Sequence, residues 1–352
     1  MSAFHLFLAM PLAILAIIPL FISNPVLLHI LLYCFFFAYF GLAWSILGVL
    51  AGQLSLGHAV FFGIGAYTST ILLIKFELSP WVGMLLGAVL ATVVGILLGF
   101  PCFRLRGAFY ALATLAFAEV LRLIAEYWIP LTGGPGGLVV PLVGDSILHF
   151  QFLSKVPYYY IMYALLLLMA FVTYRILRSK FGFYLAAIRD DEDAARSIGV
   201  NVFRCKLKAA AISAFFTGTL GTFYAQYTRY IDPAGVFGLW RSCDPIIVAI
   251  VGGAGVLGPI LGSFILTPAT EALIITLGGK YATVKMMAYG LLIAMVVLWL
   301  PQGVVGPIRY ASSVVLKHLF QPSPGTGSKA EKVSKPPHAR NDGFGRRVEC
   351  HG

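Results

Sequence analysis

The chain has 352 residues, of which 59% are hydrophobic and 11% are charged, whereas a soluble domain carries roughly 25% charged residues. This balance excludes an ordinary soluble globular domain. The net charge of +11 does not indicate nucleic-acid binding, because the basic residues lie between apolar runs and near the C-terminus, as positive-inside topology predicts. The five cysteines, without a CxxC pair or a histidine at a suitable spacing, predict neither a disulfide framework nor a metal site.

Apolar runs long enough to cross a bilayer, about 20 residues, recur along the whole chain. They predict ten spans, near residues 4–22, 26–48, 56–75, 81–100, 108–128, 157–178, 207–227, 245–257, 259–277 and 284–303. No Lys or Arg precedes the first run and no cleavage site follows it, so we expect an uncleaved span. The predicted fold class is an all-α, polytopic integral membrane helical bundle with about 8–10 transmembrane helices, some of them interrupted by glycine.

Ten crossings place both termini on one side of the membrane. The loop with Arg104, the segment 175–208 and the C-terminal tail then share that side and hold most of the basic residues, which predicts that this side is the cytoplasm. The opposite, external side receives the predicted loop 228–244, in which Arg229 and Arg241 offset Asp232 and Asp244. The chain divides into a transmembrane permease domain, residues 1–308, and a basic tail, residues 309–352. The tail is rich in Pro, Gly and charge and is predicted to be disordered and cytoplasmic.

Glycine-rich segments occur in both halves of the chain, at 52–68 and at 245–258. The predicted span 245–257 is too short to cross a hydrocarbon core of roughly 30 Å by itself. A discontinuous helix, interrupted at Gly252, Gly253, Gly255 and Gly258, would resolve the conflict. Two such segments indicate a binding site at the membrane midplane in transporters with internal repeats. The alternative is close helix packing through small residues.

A polar segment, residues 178–213, lies between two predicted spans and must therefore sit at a membrane surface. Four consecutive acidic residues are predicted to lie in one helical turn: Asp190, Asp191, Glu192 and Asp193. A face of small and apolar residues is predicted on the same helix, formed by Phe183, Ala187, Ala194, Ala195 and Ile198. Gly199 is predicted to end this helix.

Asp193, Ala194, Ala195 and Gly199 resemble the EAAxxxG pattern of the coupling loop in ABC importer permeases, with Asp in place of Glu. By itself this motif is also compatible with an ordinary amphipathic cytoplasmic helix. Five segments in order are similar to those of LivM-type permeases of the branched-chain amino acid ABC importers: GQLSLGHAVFFGIGAYT at 52–68, RLRGAFYALATLAFAEVLR at 104–122, LTGGPGGL at 131–138, the stretch 178–213, and VGGAGVLGPILGS at 251–263. The run GGAGVLGP is a variant of the usual one, and the tail after Phe320 has no counterpart in the family.

This resemblance implies a bacterial inner-membrane permease subunit that forms the path for branched-chain amino acids. It implies four kinds of partner: a second, homologous permease subunit, two ATP-binding cassette ATPase subunits, a periplasmic solute-binding protein, and the lipid bilayer. Residues 178–208 would be the cytoplasmic coupling segment. ATP and Mg would be bound by the partner subunits, because this chain has no GxxxxGK[ST] phosphate loop, and we expect no enzymatic activity in it. The alternatives are the same importer class for urea, short amides or aromatic acids, or an ion-driven secondary transporter.

Charged residues within a span are costly and by default indicate a function or an internal partner. Glu119, Arg122 and Glu126 are spaced i, i+3 and i+7, so they lie on one helix face where Arg122 can pair with either carboxylate. This face is predicted to line the outer half of the translocation path, or alternatively to be a self-neutralised triplet packed between helices. His58 is predicted to contact either the substrate on the path or a backbone group freed by the helix break.

Overall fold

The fold is seen in a computed structural model that describes residues 15, 19, 24–142, 144–277, 290 and 303. The predicted spans 4–22 and 284–303 lie almost entirely outside the described residues, as does the whole predicted tail, 309–352. All the described residues belong to a single compact unit that ends at Tyr310.

Twelve α-helices are described, and they account for most of the described chain. They are α1 (Pro25–Ser45), α2 (His58–Phe76), α3 (Pro80–Cys102), α4 (Ala108–Tyr127), α5 (Ile129–Thr132), α6 (Lys155–Leu177), α7 (Lys180–Asp190), α8 (Glu192–Ser197), α9 (Val202–Thr228), α10 (Pro233–Phe237), α11 (Leu239–Gly252) and α12 (Leu257–Leu277).

Within the described chain, six helical segments are long and apolar enough to cross a membrane: Pro25–Leu50, His58–Phe76, Pro80–Cys102, Ala108–Tyr127, Lys155–Leu177 and Pro233–Gly252. The predicted polytopic helical membrane fold is thereby confirmed. The helix starts follow from local chemistry, because Pro occupies the first position of α1 and α3, where its missing N–H costs nothing. Asn24 and Ser154 accept hydrogen bonds from the first-turn N–H groups of α1 and α6.

The centre of the bundle is α9, which packs against α1, α2 and α3. Glycine makes this packing close: a Cβ atom on Gly65 of α2 would lie 2.0 Å from the backbone oxygen of Gly218 on α9. The small-residue alternative for the segment 52–68 is therefore realised at Gly65. Helix α9 begins at Val202 rather than near residue 207, because the Asn201 side chain caps it by accepting a hydrogen bond from Arg204 N at 3.0 Å.

The chain leaves helical structure between α1 and α2. A π-helical turn, Ile46–Leu50, ends α1, and residues 51–57 form no helix. We call residues 51–57 the break. Gly52 has a φ of +67°, a conformation that glycine adopts without a steric cost. The predicted glycine interruption in the first half is confirmed, and it lies before α2 rather than within it.

The predicted span 245–257 was wrong in its position. Helix α11 covers Leu239–Gly252, and the interruption follows it, at Gly253 with a φ of +93°. The short helix α10 precedes α11, so the pair has the length of a crossing. Arg241 and Asp244 were predicted in an external loop, but they lie in α11 and pair with each other at 3.2 Å. This pairing lowers the cost of placing both charges in the bundle.

The two ends of the bundle differ in structure. At one end, a two-stranded antiparallel sheet joins β1 (Leu138–Val139) to β2 (Tyr230–Ile231), with Leu138 opposite Ile231. At the other end, α7 and α8 connect α6 to α9. We call these the sheet end and the α7–α8 end.

Candidate translocation and coupling site

The acidic residues of the segment 178–208 do not share one helical turn. Helix α7 ends at Asp190, and α8 starts at Glu192. Between them, Asp191 has an extended backbone, and its Oδ1 accepts hydrogen bonds from Asp193 N at 2.8 Å and Ala194 N at 3.0 Å. An aspartate in this position caps a new helix. The acidic run is therefore divided between two helices rather than lying in the one predicted, because the Asp191 side chain accepts hydrogen bonds from backbone N–H groups and so starts a second helix.

The exposed side of α8 carries an ion pair with the loop between α3 and α4. Arg106 donates two hydrogen bonds to the Asp193 carboxylate, at 2.9 and 3.1 Å, and both side chains are more than half exposed. The hydrogen bond from Arg106 lowers the pKa of Asp193, and the carboxylate raises the pKa of Arg106. Both groups therefore stay charged at neutral pH, and the pair ties α8 to the start of α4.

The opposite side of α8 carries a buried ion pair. Lys206 of α9 is only 1% exposed, and its Nζ donates a hydrogen bond to Oε1 of Glu192. Gln53, in the break, donates to the same oxygen from Nε2 at 3.3 Å. Three separate segments thus meet at one carboxylate. We call Gln53, Glu192 and Lys206 the buried triad.

The small and apolar residues of this segment do not form the predicted common face. Ala195 is 2% exposed and packs against Ile188 and Val202, whereas Phe183 and Ile198 are among the most exposed apolar side chains. The reason is again the turn at Asp191, which rotates α8 relative to α7. Of the two alanines, Ala194 is exposed and Ala195 is not. At the end of α8, Gly199 adopts a φ of +86°, which suits its predicted role as a helix stop.

The surface that results at the α7–α8 end carries exposed carboxylates, two of which are paired with arginines. Asp190 accepts two hydrogen bonds from Arg189, at 3.0 and 3.1 Å, and remains largely exposed. Asp191 and Asp193 are exposed beside it. Exposed carboxylates next to the apolar side chains of Phe183 and Ile198 form a surface on which another protein can dock.

Glu119, Arg122 and Glu126 lie on one face of α4, as their spacing predicts. Arg122 donates hydrogen bonds to both carboxylates, including one from Nε to Glu119 Oε2 at 3.0 Å. Glu119 is 51% exposed, and Arg122 and Glu126 are each more than a fifth exposed. The triplet is therefore self-neutralised in part, with a net charge of −1, but the described part of the chain does not bury it between helices.

His58 lies apart from the α4 face and is fully buried at the start of α2. Its Nε2 is 2.7 Å from Ser213 Oγ, and its Nδ1 is 3.2 Å from Ser55 Oγ. Ser213 donates its own proton to the Ala43 carbonyl at 2.7 Å, so it accepts from His58 Nε2–H. Hydroxyl groups thus occupy both ring nitrogens, in place of the predicted bond to a freed backbone group. The position of His58 on the path stays a prediction.

Two polar features at the start of α11 escaped the sequence analysis. The Arg241 guanidinium lies 5.0 Å from the ring centroid of Phe62 and 4.7 Å from that of Tyr224, a cation–π arrangement. One residue farther on, Ser242 Oγ accepts a hydrogen bond from Ala59 N at 3.0 Å. The sequence signal was the RSCD run itself, which was interpreted as a loop.

No cluster of three or more His, Cys, Asp or Glu side chains that could hold a metal ion occurs among the residues described here. The charged groups of the site are instead engaged with one another. The α4 face is suited to binding a charged ligand, and the contacts of α8 are suited to linking that helix to other segments.

Comparisons with known proteins agree with this arrangement. The family described as "Branched-chain amino acid transport system / permease component" matches residues 26–296. The "High-affinity branched-chain amino acid transport system permease protein LivM" of Escherichia coli strain K12 is 32% identical over 292 residues, which cover 76% of this chain and 67% of that protein. The protein of the same name from Salmonella typhimurium is 31% identical over the same shares.

A more distant relative comes from an archaeon. The "Probable branched-chain amino acid transport permease protein LivM" of Methanocaldococcus jannaschii is 24% identical, with 59% of this chain and 66% of that protein covered. No solved structure matches the chain with significance. The family match covers the described helices from α1 to α12, and the LivM-type resemblance of the five sequence segments is confirmed. The chain is a multi-pass membrane protein and belongs to the family of permease components of branched-chain amino acid transport systems.

Proposed function

We propose that this chain is a permease subunit of an ATP-binding cassette importer and forms part of the path for branched-chain amino acids. The observation that carries the proposal is the charged face of α4. It lies within a helix that is long and apolar enough to span a membrane, and the described part of the chain leaves it uncovered. A charged face of this kind is too costly to contact lipid, so it requires water, substrate, a second subunit or a part of this chain outside the described residues.

The α4 face suits a small zwitterion in the outer half of the membrane. Arg122 lies 14 residues after Ala108, which is roughly 21 Å along the helix axis at 1.5 Å per residue, and thus close to the sheet end. Its guanidinium can bind the substrate carboxylate, while Glu119 and Glu126 attract the ammonium group. A second, homologous permease subunit would complete the path opposite α4.

The α7–α8 end supplies the connection to ATP hydrolysis. Asp190, Asp191 and Asp193 are exposed, and the surface that they share with their arginine partners would dock on one of two separate ATPase subunits. ATP and Mg would be bound there, since this chain has no phosphate loop. Ala194 and Gly199 allow a partner to approach closely at the exposed side of α8.

The orientation follows from this assignment. The α7–α8 end would face the cytoplasm, with both termini, and the sheet end would face the periplasm, where a solute-binding protein delivers substrate. The protein would reside in the bacterial inner membrane. Its basic loops agree with that orientation, because the segment 175–208 and Arg106 lie at the α7–α8 end.

The test is uptake by a strain from which the gene is deleted, measured with labelled leucine and labelled urea in parallel. We expect leucine uptake to be lost and urea uptake to be unchanged, and we expect the wild-type chain to restore leucine uptake. Unchanged leucine uptake in the deletion strain would refute the substrate. Loss of urea uptake instead would move the chain to the alternative substrate class.

The driving force is checked in the same cells. Uptake should stop when ATP is depleted while the membrane potential is maintained. Uptake that persists without ATP and collapses with an ionophore would favour an ion-driven carrier. No observation on the described residues favours that alternative.

A further inference from the structure

The break touches both short helices of the α7–α8 end and also α4. On its first side, Gln53 Nε2 donates to Glu192 Oε1 at 3.3 Å, where Glu192 also receives Lys206 Nζ. Gln53 is 7% exposed, so this hydrogen bond is shielded from water. A displacement of α8 would therefore pull on Gln53 directly.

The second contact is made by the backbone of the break. Gly52 lies so close to α7 that a Cβ atom there would be 2.9 Å from Arg189 Cγ and 3.3 Å from Arg189 Cα. Any other residue would push α7 away and would also be strained at the φ of +67°. The break is thus packed against α7 as well as bonded to α8.

On its other side, the break is bonded to the membrane helices. Leu56 N donates to Thr114 Oγ1 on α4 at 3.1 Å, and the Trp44 indole donates to Ser55 O at 3.0 Å. A Cβ atom on Gly57 would lie 2.9 Å from the backbone oxygen of Thr114. Thr114 is in the same helix as Glu119 and Arg122, so the break is in direct contact with the helix that carries the charged face.

The backbone of the break can shift without disrupting a helix. Residues 51–57 lie outside the helices. Backbone hydrogen bonds join them to the neighbouring helices from Gln53 N to Leu47 O at 3.1 Å and from Val60 N to Gly57 O at 3.0 Å. Gln53 Oε1 is buried without a hydrogen-bond partner among the described residues.

From these contacts we propose that Gln53 is a positioning residue that passes the displacement of α8, through the break, to α4. The proposal rests on the proposed function, because it assumes that an ATPase subunit moves α8. It assigns to the break the role of linking the coupling segment to the charged face. A single substitution at Gln53 can remove the hydrogen bond to Glu192 and so interrupt this link.

The experiment uses the complete transporter, purified with its partner subunits and reconstituted in proteoliposomes. Gln53→Met keeps the length and volume of the side chain but removes the hydrogen bond. We expect solute import per ATP hydrolysed to fall by about ten-fold, within the range of typical coupling between sites. The basal rate of ATP hydrolysis and the melting temperature should stay near those of the wild type.

Gln151→Leu is the matched control. Gln151 is as buried as Gln53, but it lies at the sheet end, where its Nε2 donates to Pro141 O at 2.7 Å. Its substitution removes a buried amide without touching the break, so the ratio of import to hydrolysis should not change.

An unchanged ratio in Gln53→Met, with active wild-type transporter, would overturn this inference and leave the proposed function intact. Failure of the wild-type complex to import solute would instead contradict the proposed function. If Gln53→Met does not assemble, Gln53→Asn gives the same decision, because its amide is one methylene too short to reach Glu192. An equal fall of the ratio in Gln151→Leu would also overturn the inference.

Discussion

The charged side chains on the α4 face and those around α8 are both paired with opposite charges, but the partners lie in different parts of the chain. On α4, Arg122 pairs with Glu119 and Glu126 of its own helix, at separations of three and four residues. Around α8, Arg196 of the same helix lies 3.8 Å from Glu192 and from Asp193, but the closer partners come from elsewhere: Arg106 is 87 residues from Asp193, and Lys206 is 14 residues from Glu192. Pairs within one helix add little to the tertiary fold, whereas pairs between segments hold those segments in place.

This difference in pairing predicts different roles for the two sites: substrate binding for the α4 face, and the holding together of segments for the α8 contacts. The α4 face is self-contained, so a change there should alter what the path binds and leave the fold intact. The α8 contacts join three other parts of the chain, so a change there should alter the fold or the transmission of movement. Three predictions test that contrast, in order of decreasing effect.

The largest effect is expected for Lys206→Met. It leaves Glu192 partly buried without its closest cation, and removal of one partner of a buried ion pair costs about 3–5 kcal/mol. We expect a large fall in the melting temperature of the purified protein and in the yield of folded protein. Lys208→Met makes the same chemical change at an exposed position of α9 and should have little effect.

The double variant with Glu192→Gln and Lys206→Met sharpens this prediction. It removes both charges, so most of the lost stability should return. If the double variant is as unstable as Lys206→Met, the packing of the lysine chain rather than its charge stabilises this site. That outcome would contradict the part assigned to the buried ion pair.

A smaller effect, and a different one, is expected for Arg122→Ala. The KM for the imported amino acid should rise roughly ten-fold, because loss of one charged contact is worth about 1.4 kcal/mol. The melting temperature should change little, since the pairs are confined to α4. Transport kinetics in the assembled complex provide the measurement.

Two further variants serve as controls for Arg122→Ala. Arg122→Lys keeps the charge but not the planar fork and should give an intermediate KM. Arg104→Ala removes the same group from the exposed loop before α4 and should leave the KM unchanged. A normal KM in Arg122→Ala would show that the α4 face does not bind substrate, and would favour an interface between subunits.

The smallest effect is expected for the exposed pair of Arg106 and Asp193. The hydrogen bond from Arg106 holds the pKa of Asp193 below its ordinary value, which is about 3.9 for an aspartate. Any stability that this depressed pKa contributes is present above the unfolded pKa and is lost only as the pH falls through the lower folded value. It is therefore constant between pH 5 and pH 8.

Melting temperatures of the wild type and Asp193→Asn should thus differ by a small amount that does not vary over this pH range. A difference that shrinks as the pH falls from 8 to 5 would show that Asp193 titrates there and that its pKa is not depressed. Such a result would remove the contrast between this exposed pair and the buried triad.

The sequence by itself determined the membrane-spanning class and most of the helix positions. Hydropathy predicted spans at 56–75, 81–100 and 108–128, and α2, α3 and α4 begin and end within a few residues of them. The α4 pairs were also predictable, because residues three and four apart on a helix are neighbours. Both signals depend only on residues that are close in the sequence, so they can be interpreted without knowledge of the rest of the fold.

Only the tertiary structure decided where the polar contacts between distant segments lie. Charged residues next to an apolar run indicate a loop when only the sequence is known. Arg241 and Asp244 were therefore predicted outside the helix, and the predicted start at residue 245 lies six residues after the observed start of α11 at Leu239. The acidic run was predicted as one helix, because nothing in its periodicity shows that Asp191 caps a second one. The meeting of Gln53, Glu192 and Lys206 depends on the packing of α8 and α9 against the break, and no spacing within the sequence specifies it.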